Sequence, residues 1–123
     1  MPIEGAKQDK HKAIEPEKID IDGFTIFIGK NNRQNDYIIS KVAKDEDIWF
    51  HTKDCAGSHV LLKGLNPPDE LILHCAKLAK EHSSASTSSK IGVIYTKRKY
   101  LRKPPKANLG YVTYKNEKEI IID

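Results

Sequence analysis

The strongest constraint on the fold is a pair of apolar segments separated by a short stretch of small and polar residues. The two segments are Asp47-Ile48-Trp49-Phe50-His51 and Ser58-His59-Val60-Leu61-Leu62. Runs of β-branched, aromatic and aliphatic residues on both sides of residues 52–57 predict two strands joined by a turn. Gly57 supplies the backbone freedom that such a turn uses.

Side chains alternate between the two faces of a strand, so the first segment has two different surfaces. Ile48 and Phe50 supply the apolar side of the predicted sheet. Trp49 and His51 lie on the other side, where Trp49 has two interpretations. It packs in a core if a second helix covers that face, which we favour slightly, or it offers a stacking surface to a ligand.

Two segments have helical periodicity. One helix is predicted across about residues 32–43, where apolar side chains recur at helical spacing. The other begins at Pro67-Pro68-Asp69-Glu70, because proline is tolerated in a first turn and acidic side chains favour the positive end of the helix dipole. The second helix is supported by a stripe at helical spacing, Leu71, Cys75, Leu78 and His82.

The remaining segments decide the fold class. Short strands are also predicted over residues 24–28, 91–96, 100–102, 111–114 and 119–122. Strands and helices do not alternate regularly, which favours a single α+β domain with a mostly antiparallel or mixed sheet and two main helices. Residues 1–20 are polar and without period, so we predict a disordered arm or the end of a linker there, and a folded domain over residues 21–123.

Charge and cysteine content narrow the partners and the compartment. The chain has 123 residues, a net charge of +4 and a pI near 9.0, a balance that favours polyanionic partners, chiefly nucleic acid. Two isolated cysteines make no disulfide framework, and no apolar run has membrane-spanning length. We therefore expect a cytoplasmic protein without a membrane partner.

The densest charge feature is the segment 97–106, which contains six basic residues and no acidic one. Lysine and arginine bind phosphates through charge and through counterion release, and Tyr100 within the run could stack on an exposed base. The alternative is a charged edge strand that discourages pairing between sheets. The basic residues are Lys97, Arg98, Lys99, Arg102, Lys103 and Lys106.

A second candidate anion site lies where the first predicted helix begins. Lys30 and Arg33 flank Asn31 and Asn32 there, and free backbone N–H groups at a helix start favour anions. Arg33 could donate a fork of hydrogen bonds to a phosphate. The competing interpretation, which we favour for one of the two asparagines, is a plain helix cap.

The histidines could also suggest a metal site or a catalytic pair, but the predicted strands disfavour both. His51, Cys55 and His59 are four residues apart, a metal-ligand spacing on a helix, but here they fall on a strand, a turn and a strand. Ser58 and His59 are adjacent on a strand and point to opposite faces, so they cannot act as nucleophile and base. We predict no metal, no cofactor and no catalytic residue.

Taken together, these residues resemble the NFACT-R family, the RNA-binding domain at the C-terminal end of NFACT proteins. The resemblance spans about residues 22–122, and its most specific part is Trp-Phe-His followed at this distance by Gly-Ser-His. The family's usual proline before Gly-Ser-His is Ala56 here. The other matching segments are 23–24, 28–32, 34–36, 76–79 and 102–104, with Ala107 and Gly110.

The resemblance implies a non-catalytic module that acts in ribosome-associated quality control. Its partners would be tRNA or the large ribosomal subunit, together with other domains of a longer parent protein. Three rivals remain: a protein-interaction or adhesin module, after an older fibronectin-binding label in the family, a DNA-binding module, and an enzyme acting on nucleic acid through His51 and His59. The predicted nucleic-acid contacts are Lys30, Arg33, Trp49, His51, His59, Arg98, Tyr100, Arg102 and Lys103.

Overall fold

The computed structural model describes residues 15–123, and the predicted strand–turn–strand unit lies at its centre. Strand β3 spans Ile48–Thr52, strand β4 spans Val60–Lys63, and the two pair antiparallel. Strand β5, Ile91–Lys97, pairs with the other edge of β3. Because β3 has a neighbour on each side, its pairing fixes which of its side chains face each surface of the sheet.

Three more strands, β1 (Glu17–Ile21), β2 (Phe24–Ile28) and β8 (Lys118–Ile122), complete this sheet. Its order is β1-β2-β4-β3-β5-β8, and every neighbouring pair is antiparallel. A separate small hairpin pairs β6 (Leu101–Arg102) with β7 (Thr113–Tyr114). With the two helices described next, this confirms the predicted α+β class.

Helix α2 spans Asp69–Glu81 and covers one face of the sheet. It begins after Pro68 with two acidic residues in its first turn, as the sequence predicts. Burial raises the pKa of the Cys75 thiol to about 12, so this cysteine serves as an apolar packing group. In residues 15–123, no helix is long and apolar enough to cross a bilayer. The core under α2 includes Ile26, Ile28, Phe50, Val60, Leu62, Leu71, Cys75, Ala79 and Val93.

The opposite face is covered by helix α1, Asn32–Tyr37, which continues directly into a π-helical turn over Ile38–Val42. The β6–β7 hairpin packs beside it. Trp49 is only 2% exposed in this second core, which confirms that it packs inside the domain. The buried members of this core are Ile38, Ile39, Trp49, Leu61, Ile94 and Leu101. The domain therefore has three layers, with the sheet in the middle.

The predicted start of the folded domain needs a correction. Residues 17–20, assigned to a polar arm, belong to β1, where Ile19 lies opposite Ile26 and packs on the α2 side. Charged residues on this edge strand hid its alternation. The connecting turn has φ of 49° at Asp22 and 84° at Gly23, and Asp-Gly is a strong signal for a two-residue hairpin. Residues 1–14 of the predicted arm lie outside the described residues.

Gly29 allows α1 to approach the sheet closely. Its N–H donates to the His59 carbonyl oxygen at 3.0 Å, and the Asn35 side-chain oxygen accepts from the His59 N–H at 3.0 Å. A Cβ at position 29 would overlap that same Asn35 oxygen. Because Gly29 has no side chain, the buried Asn35 side chain can link α1 to the residue that precedes β4.

Replacing Gly29 with alanine should lower the free energy of unfolding by about 2 kcal/mol, because the Asn35 side chain must move and leave the buried His59 N–H without its acceptor. Urea denaturation measures this loss. The matched control is Gly23→Ala, where open space surrounds the Cβ and only the left-handed backbone is strained, at about 1 kcal/mol. Equal losses in the two variants would contradict the proposed tie.

Candidate nucleic-acid interface

Four aromatic side chains cluster on the face of the sheet that α1 and the hairpin cover. The Trp49 and His51 rings stack with centroids 5.8 Å apart and planes 7° apart. His59 stands edge-on to both, at 5.5 Å from Trp49 and 5.3 Å from His51. Tyr114 lies tilted against Trp49 at 5.7 Å. Trp49 and His51 are on the same face because side chains alternate along β3. Tyr114 lies in β7, far from them in sequence.

These rings line an open cleft of about 450 Å³. Its other walls come from the β3–β4 turn and from the segment that enters β7, including Gly110 and Tyr111. Tyr111 is 55% exposed and Tyr114 is 40% exposed, so both rings are accessible at the surface. The cleft therefore combines accessible aromatic rings with a buried aromatic floor.

His51 is held by two backbone carbonyls. Its Nδ1 lies 2.7 Å from the Thr52 oxygen and its Nε2 lies 3.2 Å from the Gly57 oxygen. Burial lowers the pKa of His51, and the two carbonyls partly oppose that shift. A neutral imidazole can donate only one of these two bonds. The ring nevertheless lies between the carbonyl oxygens of Thr52 and Gly57, which hold it in place.

His59 is 4% exposed and is neutral at physiological pH. Burial and then repulsion from His51 lower its pKa to about 3, against smaller opposing effects of Asp36 and the Gly110 backbone. Two buried ring nitrogens, His59 Nδ1 and Trp49 Nε1, have no hydrogen-bond partner within residues 15–123. Both side chains line the cleft.

Trp49 and His59 form the floor of the cleft, where their side chains are 2% and 4% exposed, and the more accessible rings are those of Tyr111 and Tyr114. The sequence reasoning missed Tyr111 and Tyr114. Tyr114 reaches Trp49 only because β7 pairs with β6, with Leu101 opposite Tyr114. No local sequence signal near Trp49 indicates that contact.

Several of the predicted phosphate contacts already have partners. Arg98 is half-buried, and its Nε–H donates to the Ile39 carbonyl at 2.9 Å, so this side chain holds the π-helical turn against β5. Lys30 pairs with Glu17 at 2.8 Å. The Glu17 carboxylate offsets the charge of Lys30, and the Ile39 carbonyl occupies one of the N–H donors of Arg98.

The beginning of the basic run is also compensated. Glu46 pairs with Lys97 at 2.7 Å and with Lys99 at 2.8 Å, and these hydrogen bonds lower the pKa of Glu46 to about 2. Tyr100 lies on the α2 side of the sheet, in a groove with Ile72. The structure therefore does not bring Tyr100 to the aromatic cleft.

Arg33 and Arg102 are exposed, and neither has a side-chain partner in the described part of the chain. Arg33 lies on α1 and Arg102 on β6, the two elements that cover this face of the sheet, and Lys103 next to Arg102 bonds across to Asp36 and, at 2.9 Å, to Ser40. Asp36 is three residues after Arg33 and so shares its helix face. Burial alone would raise the pKa of Asp36, but hydrogen bonds from Lys103, Gly110 and Ser40 hold it below its usual value.

Metal binding has no support in the described region. Across residues 15–123, no three His, Cys, Asp or Glu side chains lie close enough to hold a metal ion. Cys55 lies in the turn, where its thiol donates to the Lys53 carbonyl at 3.4 Å. The arrangement instead offers a neutral aromatic cleft beside exposed guanidinium groups.

Lowering the pH from 7 to 5 should reduce the free energy of unfolding, because unfolded His59 takes up a proton near its ordinary pKa of 6.5 while the folded ring stays neutral down to about pH 3. The stabilisation is complete above pH 6.5 and is lost as the pH falls toward 3. The loss between pH 7 and 5 is about 2 kcal/mol for one such histidine, measurable by urea denaturation at each pH.

The matched variants are His59→Gln, which should flatten this pH dependence, and His74→Gln, which removes an exposed imidazole on α2 and should leave it unchanged. If His59→Gln kept the wild-type slope, the buried ring would not be its source.

Comparison with known proteins places the chain in a family. A family model described as the NFACT protein RNA binding domain matches residues 17–116. Similar proteins include the Rqc2 homolog RqcH of Bacillus subtilis (strain 168), 40% identical over 116 residues, and the Rqc2 homolog RqcH of Streptococcus suis (strain 05ZYH33), 42% identical over 113 residues. The matches cover 94% and 89% of this chain but 20% of each relative, so the chain spans about a fifth of their length.

A solved structure, the C-terminal of the fibronectin/fibrinogen-binding protein from Streptococcus suis, matches with a TM-score of 0.82 at 40% identity, over 88% of this chain and 45% of that one. The coiled-coil domain-containing protein 25 homolog of Dictyostelium discoideum is 30% identical, over 89% of this chain and 53% of the relative. The family match, the sequence identity and the shared fold agree with the resemblance seen in the sequence, and the chain belongs to the NFACT protein RNA binding domain family.

Proposed function

We propose that this domain is a non-catalytic RNA-binding module of a cytoplasmic, ribosome-associated quality-control factor, and that it contacts tRNA or large-subunit rRNA. The observation that carries the proposal is that Arg33 on α1 and Arg102 on β6 are exposed and have no side-chain partner among residues 15–123, while the same face of the sheet carries the aromatic cleft. The family supplies the RNA-binding class.

The charge arrangement favours phosphate contacts on this surface over the rest of the basic run. Lys97 and Lys99 share Glu46, and Arg98 is bonded within the fold. Arg33 and Arg102 remain available as planar donors that match phosphate oxygens. Contacts of this kind position RNA by its backbone and carry little sequence information.

The relatives support the ribosomal context of the proposal. Two of them are named as Rqc2 homologs, and this chain corresponds to about a fifth of each. The remainder of such a protein would supply further contacts. Within this proposal, the module contributes one RNA-contacting face to a larger factor.

Protein binding is the second candidate, favoured by the name of the solved Streptococcus suis relative, which refers to fibronectin and fibrinogen. This chain has a groove of about 690 Å³ between α2 and β8, with Leu73 and Ile121 exposed at its edge. That groove lies on the side of the sheet away from Arg33 and Arg102. Substitutions on the two surfaces therefore separate the two candidates.

The double variant Arg33→Gln/Arg102→Gln should weaken tRNA binding several-fold at low salt. It should also reduce the slope of log K against log salt by about 1 to 2, since each lost phosphate contact removes roughly one unit of slope. Fluorescence anisotropy with labelled tRNA at a series of salt concentrations measures both quantities.

The matched control is Lys97→Gln/Lys99→Gln, which removes the same formal charge from two lysines that are both paired with Glu46. It should change the slope by less than the arginine pair does. Equal effects would show that net charge, and not the α1–β6 surface, determines binding. Binding of wild-type protein to fibronectin but not to tRNA would favour the second candidate.

A further inference from the structure

The aromatic cleft has a chemistry that differs from that of the basic surface beside it. We infer that it is a binding site for a single unstacked nucleobase, so that the domain holds an unpaired nucleotide of its RNA partner there. This rests on the proposed RNA-binding function and adds a base-holding site to the phosphate-contacting surface.

The walls of the cleft suit a flat neutral ring better than a phosphate. Tyr111 and Tyr114 present accessible rings, and the stacked Trp49–His51 pair lies below them. The charged side chains at its rim do not attract a phosphate. Lys53 is paired with Glu119, outside the cleft, at 3.4 Å, and Asp54 adds a negative charge. Its volume of about 450 Å³ falls within the range of small-ligand sites, about 300–1,000 Å³.

The buried floor has unmet hydrogen-bonding capacity. Trp49 Nε1 and His59 Nδ1 have no partner within the part of the chain described, although their side chains are 2% and 4% exposed. The indole N–H can only donate, whereas a ring nitrogen of neutral His59 can accept. One donor and one acceptor complement the edge of a nucleobase, which presents both kinds of group. Buried polar groups in folded proteins nearly always find partners, and a base edge at the floor of the cleft would supply both of them.

The cleft also continues into a groove formed by two smaller depressions. A depression of about 230 Å³ shares His51, His59 and Tyr111 with the cleft and extends to Asn32. A third depression of about 290 Å³ shares Asn32 with the second and reaches Ser83 and Ser84. The groove therefore runs from the aromatic cleft past the start of α1.

This groove places the backbone of a bound strand near the exposed cations. Arg33 directly follows Asn32, which lines the second and third depressions. A strand with one base in the cleft can follow the groove with its phosphates toward Arg33. Bases that are paired within a duplex cannot enter the cleft, so the site selects unpaired segments such as loops, bulges and ends.

The chain contains a single tryptophan, so the indole N–H resonance of Trp49 reports directly on the floor of the cleft. The test is titration with a single-stranded RNA hexanucleotide, compared with an abasic ribose-phosphate chain of the same length. We expect the RNA to shift the indole resonance and to bind about 10-fold more tightly than the abasic chain, because base–aromatic stacking accounts for roughly 5- to 100-fold in affinity.

The variant Tyr111→Ala/Tyr114→Ala should abolish that preference for the RNA, whereas Tyr111→Phe/Tyr114→Phe should keep it. Both pairs change exposed rings, and the urea midpoint of each variant checks that it folds. Leu73→Ala, which changes an exposed side chain on α2 on the opposite side of the sheet, is the matched control and should bind like wild type.

Two results overturn the inference, and they differ in what they say about the proposed function. If the RNA and the abasic chain bind equally well and the indole resonance does not move, the cleft holds no base while RNA binding itself stands. A bridging water at the floor would give this result. If neither binds at low salt, the proposed function fails together with the inference.

Discussion

The side-chain alternation along β3 is the constraint on which the rest of this structure depends. Strands β4 and β5 pair with β3 on either side and fix its register. Phe50 therefore enters the core under α2, while Trp49 enters the core under α1. A slip of one residue would exchange these two faces. The same pairing that completes both cores thus also builds the floor of the aromatic cleft.

Local compensation of charge decides which basic residues are available to a partner. Glu46 pairs with both Lys97 and Lys99 at the beginning of the basic run, and Lys103, just after β6, pairs with Asp36 of α1. The interface is therefore defined by contacts between distant segments, and the density of lysine and arginine along the chain is a poor guide to it.

The sequence predicted the parts of the fold that depend on local pattern. The strand–turn–strand unit, α2 and the antiparallel sheet follow from periodicity and from start signals such as Pro68-Asp69. Strand β1 was not predicted, because charged residues on an edge strand obscure the alternation of polar and apolar side chains. The Asp22-Gly23 turn does signal a hairpin there.

The site was less predictable than the fold because its parts are far apart in sequence. His51 and His59 were expected at the interface, and they line the cleft, but Tyr114 joins them through the pairing of β7 with β6. Lys97 and Glu46 are 51 residues apart, so their pairing could not be read from the basic run. Asn31 is the exception: it caps α1 by accepting from the Gln34 N–H at 2.9 Å, a local contact that its position predicted.

The central claim is that RNA is held by the face of the domain that carries α1 and the β6–β7 hairpin. Photo-crosslinking of bound tRNA, followed by mass spectrometry of the crosslinked peptides, tests it most directly. Crosslinks should concentrate in residues 30–37 and 102–114. Crosslinks confined to residues 69–81, in α2 on the opposite side of the sheet, would contradict the claim.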